Sequence, residues 1–486
     1  MKKGIYRVVL LLLCLCFVIS GCGTKSSSSS SGEKPTFKAA ERGLDFVAYS
    51  PPTEKGAITE KMDDAYKKMA EAGFTKALAL REGCSYEEGT DVYDTIKRRS
   101  VYAEEAALKA LDYAEKYGIK YYVRDWSFYG LSRDFADELN TFEKMEKVIS
   151  NMFSTENKYI NHPAYAGNFG FDEPTYDELD GIAWMCQLYN KYIEKNSTNG
   201  GEITINLNPI HVTFTTGQTY AEYIDRYIEI IAPYTGYISY DCYPFMSNGT
   251  ENYIKDLYYR NMELVATKAK EADIEFRGFV QSCGDFTGMR QLNNINDLRW
   301  EIYSCLAFGM RQIAYYQYSS GVDETDATDS DGYCLYNYKN DSYTWLYDAA
   351  KIVNNEVLNF EDAYDAYAWD GCMYLMPNEM IDNQVLSNLV DNVESTDRMS
   401  FVSATNDVFA GIFKAKDEDF SAQDAFIVVN ATDPSQNLDN TVKLQFNNAT
   451  KLLMYRKGEE VVVDLAEDGT YILYLEPGEG RFIIPF

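Results

Sequence analysis

Two adjacent carboxylates end an apolar run in this chain, Asn168-Phe169-Gly170-Phe171-Asp172-Glu173-Pro174. The proline stops the run, and apolar side chains at helical spacing follow from Tyr176 to Ile193. Strand, acidic pair, proline and helix form a βα unit that carries its reactive groups at the C-terminal end of the strand. Two carboxylates divide acid and base work when their surroundings push their proton affinities apart. Glu173 is therefore read as a general acid, with Asp172 beside it. Neighbouring strand residues normally point to opposite faces, so both acids reach one ligand only if the strand end twists. The plainer readings are a helix-dipole role for Glu173 and an N-cap role for Asp172.

Positioning such a pair needs a rigid frame. From about residue 43 the chain alternates short apolar runs with amphipathic stretches. The predicted strands are Asp45–Tyr49, Lys76–Leu80, Lys120–Val123, Asn168–Asp172, Glu202–Leu207, Tyr237–Tyr240, Glu275–Val280 and Gln312–Tyr316. Helical patterns fill the gaps, for example Thr59–Ala72, Ala103–Tyr117, Tyr253–Glu271 and Ser342–Asn359. Glycines after Ala72 and Tyr117 mark helix ends. Eight such units predict an α/β fold, a (β/α)8 TIM barrel over residues 43–365. After about residue 365 helical periodicity stops and short β-type runs separated by Gly-containing turns predict an antiparallel β-sandwich over 366–486.

In a barrel the strand ends converge on one face. They deliver Tyr49, Arg81, Asp125 and Trp126, Asp172 and Glu173, Asn208, Tyr240 with Asp241 and Tyr243, Gln281, and Tyr316 with Gln317. Acids, amides, an arginine and aromatics suit a polyhydroxylated ligand: polar groups bond its hydroxyls and aromatic faces stack on its C–H face. Glu173, Asp172 and Asp241 are the candidate catalytic residues, and the others the candidate substrate-binding set.

The chain resembles a clan-A glycoside hydrolase barrel with a C-terminal β-sandwich, over roughly residues 43–486. In that clan an acid/base glutamate ends strand 4, often as Asn-Glu-Pro; the matching residues here are Asp172-Glu173-Pro174. The clan's nucleophilic glutamate ends strand 7, where this sequence has Phe279-Val280-Gln281-Ser282. The Asp-Glu pair is also similar to that of substrate-assisted hexosaminidases. By that similarity Asp172 would orient a substrate acetamide and Tyr240 or Tyr243 would bond it. Three outcomes stay open: substrate assistance, Asp241 as nucleophile or base, and a scaffold that binds glycans without cleaving them. The implied partner is a carbohydrate.

Composition bounds the alternatives. The 486 residues carry a formal charge of −30, which disfavours nucleic acid. Two histidines exclude a multi-His metal site and leave a Ser-His-Asp triad few bases, and both are read as structural. None of the ten cysteines forms a CxxC pair. The acidic run Asp323–Gly332 resembles a calcium loop, but its twelfth position is Cys334 where a bidentate glutamate is required. No metal or cofactor is expected.

Lys2, Lys3 and Arg7 precede an apolar Val8–Ile19, too short for a comfortable membrane span. Val18-Ile19-Ser20-Gly21-Cys22 resembles a bacterial lipobox, with residues 1–21 removed and Cys22 lipidated. Residues 22–42 then form a Ser-rich tether. The mature chain would carry 42 basic against 75 acidic residues. It is expected on the bacterial cell surface, anchored by lipid and not spanning the membrane.

Overall fold

The computed structural model describes residues 33–40, 43–52, 62–79, 107–125, 128, 131, 133, 136–153, 158–284, 288–320, 334–337, 341–378 and 395–486. The expectations placed on Cys22 and its leader, Arg81, Trp126 and the acidic run 323–332 lie outside them.

Eight parallel strands form the first layer: β1 Asp45–Tyr49, β2 Lys76–Leu78, β3 Lys120–Val123, β4 Tyr165–Asp172, β5 Glu202–Asn206, β6 Tyr237–Asp241, β7 Glu275–Gln281 and β8 Gln312–Tyr316. Their order is β5-β4-β3-β2-β1-β8-β7-β6. The remaining seam is bridged by a parallel Leu207–Tyr240 pairing, with Leu207 N donating to Ser239 O at 2.8 Å. The sheet is thus a nearly closed barrel. Residue parity sorts the side chains, as the pleat requires. Phe46 and Ala48 of β1 face the surrounding helices, while Val47 and Tyr49 join Leu78, Tyr122, Phe169, Phe279 and Ala314 inside the barrel. The larger of these, such as Val47, Leu78 and Phe169, each contribute about 1.5–3 kcal/mol on full burial.

Amphipathic helices pack outside, including α1 Met62–Glu71, α2 Phe142–Met152, α3 Leu179–Asn196, α4 Tyr220–Ile230, α5 Tyr258–Glu271, α6 Ile295–Ala307 and α7 Trp345–Leu358. Two differ from the sequence expectation. Residues 252–254 pair with 245–247 as a hairpin, and Leu257 at φ 65° turns the chain before α5 begins. Ser342 and Tyr343 pair with 336–337, so α7 starts after them, capped by the Thr344 hydroxyl. No described helix is long and apolar enough to cross a membrane.

Residues 367–375 and 399–485 contribute two antiparallel sheets, of six and three strands, facing each other across a separate core. The six-stranded sheet is apolar on both sides. In its strand Val408–Ala415, Val408, Ala410 and Ile412 face the sandwich core, while Phe409 and Phe413 pack on the barrel's helices. Gly411 marks the closest approach, since a Cβ there would lie 1.9 Å from Ala307 O of α6. Gly411→Val is expected to lower stability by about 1–3 kcal/mol through overpacking, read as a lower thermal midpoint. An unchanged midpoint would contradict the close docking.

Candidate active site

β4 is irregular where it matters. Its pairing with β5 runs Phe169↔Thr204 and then Phe171↔Ile205, leaving Gly170 as a bulge. A bulge adds one residue and so reverses the parity of the residues after it. Phe169 faces the barrel interior, Phe171 faces the helices, and Asp172 returns to the interior. Glycine is required at the bulge because a Cβ on Gly170 would meet Ile203 Cγ1 at 2.5 Å. Glu173 then adopts φ 49°, a left-handed conformation that costs a non-glycine residue about 1–3 kcal/mol. This turn keeps Glu173 on the cavity side, so both acids line one space.

Backbone bonds hold the turn. Glu173 N donates to Asn206 O at 2.9 Å. Pro174 O accepts from Asn208 Nδ2 at 2.8 Å and from the Tyr223 hydroxyl at 2.7 Å. On the next turn Arg133 pairs with Glu178, 2.7 Å away, which also closes a capping box with Thr175.

The cavity has a volume of about 320 Å3. Three carboxylates line it: Asp172, Glu173 and, from β6, Asp241. Asn206 of β5 joins two of them, donating through Nδ2 to Asp241 at 2.7 Å and to Asp172 at 3.2 Å. The Ser239 hydroxyl donates to Asn206 Oδ1 at 3.0 Å and so fixes which way the amide faces. The wall is aromatic. Tyr49 contacts Phe279 and Tyr316 at centroid distances of 5.4 and 5.6 Å, and Tyr316 stacks on Tyr243 at 5.0 Å.

These surroundings separate the three acids. Burial raises the Asp172 carboxyl above the usual carboxylate range, and the Arg124 guanidinium, the Asn206 amide, Arg133 and the Tyr49 hydroxyl offset this only in part. Glu173 stands at the open side of the cavity; partial enclosure and then the Asp172 charge raise it, against Arg133 and Lys255. Asp241 is pushed well above the usual carboxylate range by burial and by the charges of Glu173 and Asp172. All three are therefore raised, but they differ in setting: Asp172 has an arginine and hydrogen-bond donors that oppose the rise, Glu173 is open to solvent, and Asp241 is buried and favours its neutral form.

Of the sequence-derived set, Asp172, Glu173, Asp241, Tyr49, Tyr243 and Tyr316 meet in this cavity. Others point elsewhere. Tyr240 faces the helices, its ring stacked on Phe276 at 5.9 Å, because it has the opposite parity to Asp241. Asp125 likewise turns outward and meets the Tyr159 hydroxyl at 3.5 Å. Asn208 braces Pro174 and does not line the cavity. Gln281 is fully buried, its side chain accepting from Phe245 N and donating to Cys283 O and Arg290 O. Gln317 is buried outside the lining, and its carbonyl accepts from Ser282.

Residues that the sequence does not single out also line the cavity: Asn206, Phe279, His211, Lys255 and Met289 among them. Strand parity would have found Asn206, since Ile203 and Ile205 face the helices. It would also have placed Arg124 inward, where its guanidinium lies 4.2 Å from the Phe169 ring centre. Nothing in the sequence marks His211 or Lys255, which arrive on connecting segments. Among the described residues no group of three or more His, Cys, Asp or Glu side chains is disposed to hold a metal ion.

Compared with known protein families and with curated proteins, the chain matches none. Several solved structures align with it. A catalytic mutant of a beta-galactosidase from G. stearothermophilus aligns at 10% identity over 93% of this chain and 99% of that one, with a TM-score of 0.48. A glucosidase from Croceicoccus marinus aligns at 9% identity over 93% and 96%, with a TM-score of 0.45. An endo-beta-1,4-mannanase from Thermotoga petrophila aligns at 10% identity over 90% and 97%, with a TM-score of 0.41. At these values the likeness assigns no residue a role.

Proposed function

We propose that the protein is a glycoside hydrolase that cleaves 2-acetamido sugars with help from the substrate's own acetamide. The observation that carries this reading is the left-handed turn at Glu173, which puts Asp172 and Glu173 into one cavity. At the place on β7 where a double-displacement enzyme would carry its nucleophile, the cavity is lined by Phe279, and the Gln281 side chain is fully bonded elsewhere. Asp241 is a poor nucleophile because burial favours its neutral form. The acetamide then supplies the attacking oxygen.

In the first step Glu173 gives its proton to the glycosidic oxygen as the C1–O bond breaks. The acetamide oxygen attacks C1, and the Asp172 anion holds the acetamide N–H as positive charge spreads onto it. In the second step Glu173, now ionised, takes a proton from water. The water oxygen bonds to C1, and the acetamide is released. Asn206 keeps Asp172 and Asp241 in register, and the tyrosines and Phe279 hold the sugar's apolar face.

The test is a screen of the mature protein against aryl glycosides and oligosaccharides. Released product supports the reading, whereas glycan binding without product would indicate a non-catalytic surface lectin on this scaffold. Glycans outside the cytoplasm are the substrate expected of a chain anchored at Cys22. Cys22→Ser is accordingly expected to move the protein from the membrane fraction to the medium, and retention of that variant in membranes would refute the anchor.

A further inference from the structure

We infer that the cavity takes a sugar bearing an anionic group, with Lys255 as the residue that recognises it. This rests on the reading of the cavity as a sugar site and adds a substrate class to it.

Lys255 and His211 line the same cavity as the three carboxylates. Lys255 Nζ lies 3.0 Å from His211 Nε2. An ammonium has only donors, so this nitrogen of His211 is the acceptor and the imidazole is neutral. Lys255 makes no ion pair within 4.0 Å among the described residues, although the lining is rich in acids. Nor is the lysine a loose surface arm. Its backbone N donates to Pro244 O at 2.7 Å, behind the hairpin of 245–247 and 252–254. His211 is held from the other side, since Ile210 N donates to Asn261 Oδ1 of α5 at 2.9 Å. The result is a cation at the cavity wall, bonded to a neutral imidazole, with no other side-chain bond among the described residues. Amides and hydroxyls suffice for neutral hydroxyl groups; an ammonium with no ion pair among the described residues is matched by a sulfate ester or a sugar carboxylate.

The test is calorimetric binding of single sugars, which needs no turnover and so stands apart from the hydrolysis reading. N-acetylglucosamine 6-sulfate and glucuronate are compared with N-acetylglucosamine and glucose, which separates sulfate from carboxylate. One anionic sugar is expected to bind about tenfold to a hundredfold more tightly than its neutral counterpart. Lys255→Met removes that preference, and Lys255→Arg restores it in part. Equal affinity for charged and neutral sugars, no binding of either, or a preference that survives Lys255→Met would overturn the inference. So would an effect of Lys255→Met confined to the pH profile of hydrolysis and shared by neutral and charged substrates. That pattern would mean Lys255 serves only to lower the proton affinity of Glu173.

Discussion

Glu173→Gln is expected to lower kcat by about 10^2–10^4-fold, the usual contribution of a positioned proton donor. Glutamine keeps the shape and cannot transfer the proton. The loss should be greatest with a sugar or alkyl leaving group, which needs protonation, and smaller with 4-nitrophenolate, which leaves unaided. The fold should survive, because the turn is held through backbone atoms, Glu173 N on Asn206 O and Pro174 O under Asn208 and Tyr223. The pH profile is a second readout. Enclosure and the Asp172 charge raise the Glu173 carboxyl, so activity in the wild type should persist above the ordinary glutamate range and fall as Glu173 ionises. That limb should be missing in the variant. Full turnover by Glu173→Gln would remove Glu173 from the mechanism.

The second large effect is on stability. Asp241 has its proton affinity raised by burial and by two neighbouring carboxylates. In the unfolded chain it titrates normally. Folding therefore favours proton uptake, and this group's stability is fully present below the unfolded carboxylate range and lost as pH rises through the folded value. Asp241→Asn removes the liability and can still accept from Asn206 Nδ2. It should raise stability at neutral pH, with the gain vanishing in acid. Denaturant unfolding of both proteins across that pH range measures this directly. Activity separates the mechanisms in the same variant. With the acetamide as nucleophile the loss should stay near tenfold, the scale of one altered hydrogen bond. A near-complete loss would make Asp241 the nucleophile instead.

Much of the frame is legible in the chain. All eight barrel strands lie where short apolar runs predict them, because each must bury both faces. The site is legible in its acids and in Tyr49, Tyr243 and Tyr316. Two of the misplaced residues share one cause. Asp125 and Tyr240 sit one position from inward-facing Arg124 and Asp241, and a period of two sends them to the helices. The same parity puts Asn206 in the cavity in place of the expected Asn208. Parity alone, however, would misjudge Asp172 itself. Only the bulge at Gly170 and the left-handed turn at Glu173 bring the pair together, and both depend on close contacts with β5 that no local pattern reveals. His211 and Lys255 are hidden because their placement is set by anchoring of the connecting segments to Asn261 and Pro244, which is tertiary information.

Substrate assistance makes a demand that no other mechanism at this site makes, namely an acetamide at the sugar's second carbon. The direct measurement is the rate of nitrophenol release by the wild type from matched aryl glycosides, in gluco and galacto configurations, bearing either a 2-acetamido or a 2-hydroxyl group. The mechanism predicts turnover of a 2-acetamido glycoside and at least about a thousandfold less of its 2-hydroxyl partner, the scale of a lost intramolecular nucleophile. Comparable turnover of the 2-hydroxyl partner would contradict it.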